Sequence, residues 1–144
     1  MTVLVDTGVL YADHDTDASR HEEASDALDV VYDGGFGAAY VSDYVYDEVV
    51  TLTLKRTGSF SAAKRIGRRL RGTDPYPLVY EMLHVSSAGF TDSVEVFEHY
   101  DDQGLSFTDA TTVALAEQHG IDHVLSFDDD FDGIVPRLDP ATVA

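Results

Sequence analysis

Val3-Leu4-Val5 is an unbroken apolar run, without the alternation of a strand that is wet on one face. Such a run predicts a strand covered on both sides, as in the middle of a parallel sheet. It stops at Asp6-Thr7-Gly8. Val9 to Ala12 reads as a short helical turn. A second helix is expected from Asp15 or Asp17 as cap, with Ala24, Leu28 and Val31 recurring at i, i+4 and i+7 and Gly34-Gly35 as its stop. Gly37 to Ser42 predicts a second strand. From Ser42 or Asp43 a helix should run to about Thr57, burying Val45, Val49 and Leu52.

Ser59 caps the next helix, with Ala63, Ile66, Gly67 and Leu70 as its apolar face. Thr73 to Pro77 is a loop, because two prolines exclude regular helix there. Leu78 to Val85 is expected to hold a third strand, although Tyr80-Glu81-Met82-Leu83 also fits a helix. A helix follows from about Ser87, carrying Phe90, Val94 and Phe97 on one side and ending before Gly104. Ser106-Phe107-Thr108-Asp109 opens another, either as a Ser-x-x-Asp capping box or with Thr108 as cap. His123 to Phe127 predicts a fourth strand that stops at Asp128. Ile134 to Leu138 predicts a short fifth, confined to an edge by Pro136.

Alternating strands and helices with right-handed crossovers give an α/β fold. The expected form is a three-layer α/β/α domain over residues 1–144, with a four- to five-stranded parallel sheet. All strand carboxyl ends then share one rim, where function collects in open α/β sheets. Asp6 and Asp128 end strands on that rim. Glu48 lies early in the helix leaving the second strand, on the same stripe as Val45 and Leu52, while Asp47 faces away. Asp109 opens the helix feeding the fourth strand. Four carboxylates from remote segments are therefore expected to converge.

Composition changes how those acids must be read. There are 27 Asp and Glu against 9 Lys and Arg, so position has to decide, not number. The charge is spread along a chain that is 44% hydrophobic, which argues against disorder and for adaptation to high salt. Lys55, Arg56, Lys64, Arg65, Arg68, Arg69 and Arg71 are seven of the nine cations. That cluster is either the footprint of a phosphate backbone or a solvated face. Without cysteine, neither a disulfide framework nor a thiolate metal site is available. The opening run is too short for a signal peptide and no stretch reaches membrane-spanning length, so a soluble, cytoplasmic protein is expected. His119 and His123 are separated by Gly120 at a helix end, which speaks against a shared metal.

Acids gathered on one rim raise one another's pKa unless a cation sits between them. An all-oxygen set with no lysine after Lys64 points to Mg²⁺ or Mn²⁺. Such ions suit phosphodiester hydrolysis. A phosphate-accepting receiver domain would need paired acids near the first strand and a late lysine. A haloacid-dehalogenase-type phosphatase would need an Asp at the position of Gly8. A catalytically silent acidic binding module remains open.

The segments Val-Asp-Thr-Gly-Val-Leu (5–10), Val-Ser-Asp-Tyr-Val-Tyr-Asp-Glu-Val-Val-Thr-Leu (41–52), Leu-Ser-Phe-Thr-Asp-Ala (105–110) and Leu-Ser-Phe-Asp-Asp-Asp-Phe (125–131) resemble, in order, the motifs of PIN-domain ribonucleases. They are particularly similar to the VapC toxins of toxin–antitoxin pairs. The resemblance covers nearly the whole chain. It implies that Asp6, Glu48, Asp109 and Asp128 are the catalytic, metal-holding acids, with Asp6 and Asp109 as the most direct ligands. Asp130 is the alternative for the fourth position, and Thr7 and Thr108 are supporting residues. It further implies cleavage of single-stranded RNA by a metal-activated water to leave a 5′-phosphate, a homodimer, and inhibition by an antitoxin peptide reaching into the site. An RNA-processing nuclease without an antitoxin is the other reading within the family.

Overall fold

The computed structural model describes residues 1–143. Its centre is β1 (Thr2–Val5), which pairs with β2 (Ala38–Ser42) on one side and β4 (His123–Leu125) on the other. β3 (Tyr80–Leu83) and β5 (Arg137–Leu138) form the edges, so the five strands run β3-β2-β1-β4-β5 with every pair parallel. Val3, Leu4 and Val5 have no solvent exposure, as the unbroken apolar run requires. Side chains alternate across the pleat, so Val3 and Val5 enter one core and Leu4 the other.

The first core lies under α1 (Thr7–His14), α2 (His21–Tyr32), α3 (Asp43–Thr57) and α4 (Phe60–Arg71). The second lies under α5 (Ser87–His99) and α6 (Phe107–His119). This is the three-layer α/β/α arrangement. α7 (Pro140–Val143) packs beside α2. Fully burying an aliphatic side chain such as Leu4, Leu28 or Leu125 contributes roughly 1.5–3 kcal/mol, which is what holds the layers on the sheet. Gly37 allows β2 to begin beside the chain start: its φ is 75°, and a Cβ there would lie 1.7 Å from the carbonyl oxygen of Met1.

Several elements depart from the sequence expectation. The helical turn at Val9 to Ala12 is an eight-residue helix, and α2 starts at His21, later than Asp15 or Asp17 would have it. Asp15 instead closes α1 and builds the turn that follows. Its two oxygens accept the Tyr11 hydroxyl at 2.6 Å and the Asp17 amide at 3.0 Å, while its amide donates to Tyr11 O. β3 and β4 are shorter than the apolar runs that announced them, and Tyr80 to Leu83 is strand. Phe90 and Phe97 share one side of α5, around Phe107. Phe90 and Phe97 point outward, 48% and 44% exposed, and the buried face is Gly89 and Ser93. Those small residues let α5 approach α6 closely, with Gln118 Oε1 3.4 Å from where a Gly89 Cβ would sit. No helix among the described residues is long and apolar enough to cross a membrane.

Candidate active site

The strand order reverses at β1. The chain steps outward from β1 to β2 to β3, then returns across the opposite face to place β4 on the other side of β1. Such a reversal opens a crevice beyond the carboxyl ends of the two strands that flank it. The register pairs Val5 with Leu125, so Asp6 and Ser126 emerge side by side, and the Asp6 amide donates to Leu125 O at 3.0 Å.

A cavity of about 380 Å³ occupies that crevice, and Asp6, Glu48, Asp109 and Asp128 all line it, together with Ser106 and Ser126. Thr7, Gly8 and Phe127 complete the wall. Each acid arrives by its own local structure. Asp6 holds the N-cap position of α1 but makes no capping bond; its Oδ2 instead accepts the Ser126 hydroxyl at 2.7 Å. Glu48 stands in the second turn of α3, whose start is fixed by the Ser42 hydroxyl accepting the Val45 amide at 3.1 Å. Asp109 closes a capping box on α6. Its Oδ2 accepts the Ser106 amide and the Ser106 hydroxyl accepts its own amide, both at 3.0 Å. One Asp109 oxygen is left for other work. Asp128 caps the 3-10 turn Asp129–Phe131 through Asp130, and its amide donates to the Ser126 hydroxyl at 3.0 Å. Ser126 thus ties two of the acids together.

Burial pushes the Asp6 carboxyl up to about 7. The Ser126 hydroxyl opposes the rise, and the negative charges of Asp109 and Glu48 add to it. Asp109 is raised too, first by burial and then by Asp128 and Glu48, against the stabilising amide and hydroxyl of Ser106. The charges that act most strongly on these two groups are negative. Thr7 Oγ1 is buried in the same wall without a hydrogen-bond partner. An all-oxygen donor set with raised carboxyls and an orphaned hydroxyl fits a hard divalent cation. The carboxylates are not drawn tight: among the described residues the one acidic trio whose oxygens lie within 4.8 Å of one another is Asp128, Asp129 and Asp130 on the rim. Asp130 lies beside Gly104 and is not in the cavity wall, whereas Asp128 is.

Thr108 is half-buried at the start of α6, where its carbonyl accepts the Thr111 and Thr112 hydroxyls; its side chain does not line the cavity. The seven clustered cations divide. Arg69 pairs with Asp13 at 3.3 Å, and Arg71 donates to the Tyr46 hydroxyl at 3.1 Å. Arg65 hydrogen-bonds Ser61 in its own helix. Lys55, Lys64 and Arg68 make no ion pair among the described residues. Arg56 lines a cleft that adjoins the acidic cavity. Sequence reasoning passed over Ser126 and Arg20. Ser126 becomes conspicuous only once β1 and β4 are known to be neighbours. Arg20, with its guanidinium 4.7 Å over the Phe127 ring, was an isolated cation far from the cluster.

The PIN domain family matches residues 3–135. The chain is similar to ribonuclease VapC26 of Mycobacterium tuberculosis, with 27% identity over 126 residues, 88% of this chain and 86% of that protein. Among solved structures it is similar to VapC20 of Mycobacterium tuberculosis, a sarcin-ricin loop cleaving toxin, at a TM-score of 0.78 and 26% identity over 92% of this chain and 96% of that one. It shares its fold with a chain of a toxin–antitoxin complex from Klebsiella pneumoniae, at a TM-score of 0.66 and 20% identity over 96% and 97% of the two chains.

Proposed function

The chain belongs to the PIN-domain family, and from that premise we propose that it is a divalent-metal-dependent, single-strand-specific endoribonuclease acting as the toxin of a toxin–antitoxin pair. The observation that carries this reading is the cavity at the β1–β4 reversal, which four acids from four separate segments line, with no ion pair to Asp6 or Asp109 among the described residues. The likeness to VapC26 and VapC20 supports RNA as the substrate class.

Asp6 and Asp109 are the groups that would hold Mg²⁺ or Mn²⁺, with Glu48 and Asp128 completing the acidic wall. When bound, the ion supplies charge neutralisation at the phosphate and acidifies the attacking water. The protein's part is positioning. Ser126 fixes one Asp6 oxygen and Ser106 fixes one Asp109 oxygen, in two carboxylates that both line the cavity. Thr7 offers its unpartnered hydroxyl to whatever enters. Hydrolysis by water attack on phosphorus, with the 3′ oxygen leaving, yields a 5′-phosphate product. Lys55, Lys64, Arg65, Arg68 and Arg71 form an exposed or half-exposed cationic belt that attracts the strand at long range; Arg69, held by Asp13, contributes less.

The partners follow from two surfaces. An antitoxin segment bringing positive charge to the carboxylates would compete with the metal. Phe107 gathers Phe90, Phe97 and Tyr44 around it at centroid distances of 5.7, 5.9 and 6.1 Å, on an exposed face that suits a second copy of the chain in a cytoplasmic homodimer. The deciding experiment is cleavage of a 5′-labelled single-stranded RNA with Mg²⁺, Mn²⁺ or EDTA. Cleavage should need the ion and disappear in Asp6→Asn and Asp109→Asn. Cutting retained in both variants would remove these residues from the reaction.

A further inference from the structure

A second cleft, of about 640 Å³, shares Gly8 and Phe127 with the acidic cavity, so the two adjoin. The threshold between them is kept clear by a missing side chain. A Cβ at Gly8 would meet no heavy atom within 4 Å, and its φ is not positive, so neither packing nor backbone geometry calls for glycine there. Beyond the threshold stand Arg20 and Arg56. The Arg20 guanidinium lies 4.7 Å from the Phe127 ring centroid and that of Arg56 lies 4.9 Å from the Tyr11 ring centroid. In a chain with 27 acids, neither makes an ion pair among the described residues. Two acids, Asp15 and Asp17, also line the cleft; the Asp15 oxygens accept the Tyr11 hydroxyl and the Asp17 amide, and Arg56 lies within electrostatic reach of Asp15.

We propose that this cleft is the subsite for the RNA nucleotide adjoining the scissile bond, with Arg20 and Arg56 binding its phosphate. The proposal rests on reading the acidic cavity as the cleavage site. A strand whose scissile phosphate enters that cavity must carry its next phosphate outward, and here the outward path leads to two guanidiniums that make no ion pair among the described residues. Stacking on an aromatic ring fixes each guanidinium plane and leaves its in-plane N–H groups to grip phosphate oxygens in pairs. The neighbouring base can stack over the Arg20–Phe127 pair.

The test is equilibrium binding of a short fluorescent single-stranded RNA with Mn²⁺ present, in the Asp109→Asn background where the strand should stay whole. Arg20→Ala and Arg56→Ala are each expected to weaken binding about tenfold and to lower the slope of log affinity against log salt by roughly 0.7 per lost contact. Arg20→Lys should recover part of the loss. Leu78→Ala, an exposed side chain outside both clefts, should leave affinity unchanged, and melting temperatures and Mn²⁺-induced thermal shifts should match the parent in all four. Unchanged affinity and slope in both arginine variants, or losses no larger than that of Leu78→Ala, would overturn the proposal. So would polyglutamate binding more tightly than RNA and depending on the same arginines, which would make the cleft an acidic-peptide site. Failure of the wild-type protein to cut RNA, with the arginine-dependent binding intact, would defeat the nuclease reading and leave the RNA subsite standing.

Discussion

Ser126 donates its hydroxyl hydrogen to Asp6 Oδ2 at 2.7 Å across 120 residues of sequence, and the Ser126 hydroxyl oxygen accepts the Asp128 amide at 3.0 Å. One buried hydroxyl therefore holds two of the four acids. Ser126→Ala removes the bond that restrains the rise in Asp6's pKa and leaves a buried amide unpaired. We expect the acidic limb of the pH–rate profile to move to higher pH, and stability to fall by about 1–3 kcal/mol in chemical denaturation. An unmoved limb would separate Ser126 from the reaction.

The metal-free protein should lose stability as pH rises. Asp6 has a folded pKa of about 7 against an ordinary 3.8, so the folded state holds its proton more tightly than the unfolded chain. That contribution is complete below about pH 4 and is gone above about pH 7. At 1.4 kcal/mol per pH unit it amounts to something on the order of 4 kcal/mol. Asp6→Asn should flatten the decline and melt higher than wild type at pH 8 in EDTA.

Divalent ions should reverse that decline in the wild type. At a concentration 100 times the dissociation constant, Mn²⁺ should add about 2.7 kcal/mol. Asp109→Asn is expected to lose most of this gain while melting close to wild type in EDTA, because an amide oxygen can still accept the Ser106 N–H. Asp109→Ala loses the capping box as well and should melt lower, by an equivalent of about 1 kcal/mol. Equal Mn²⁺ shifts in wild type and Asp109→Asn would take Asp109 out of the ion's shell.

The aromatic face on α5 can be tested alone. Phe90 and Phe97 are half-exposed and meet Phe107 rather than the sheet core. Phe97→Glu should leave the melting temperature of the monomer nearly unchanged and shift sedimentation from dimer to monomer. A variant that still sediments as a dimer would move the interface elsewhere.

Salt offers a fifth measurement. Against a net charge of −18, the ion pairs among the described residues involve only Arg69, Arg137 and the N-terminus. Repulsion is then the dominant long-range electrostatic term, screened over about 3 Å in 1 M salt. The melting temperature should climb steeply with KCl, and a flat dependence would count against salt adaptation.

Much of this was legible beforehand where one physical rule applied. Val3 to Val5 could only be a doubly covered strand, and Ser106 and Asp109 announced a helix start. Alternation of strand and helix then places Asp6, Glu48, Asp109 and Asp128 on one rim. What stayed hidden depends on neighbours that the chain does not name. The partnership of Ser126 with Asp6 requires knowing that β4 lies beside β1. The Phe90, Val94, Phe97 stripe has the same period whether it meets a sheet or open solvent. Asp15 could cap a helix or shape a turn, and the Tyr11 hydroxyl favours the turn.

Because β4 is inserted beside β1 only after α6, the crevice lacks the wall formed by Ser126, Phe127 and Asp128 until residue 128 has been added. A polypeptide still emerging from the ribosome has Asp6 without Ser126 and lacks its last acid. A site built this way stays incomplete through nearly all of the chain's own translation.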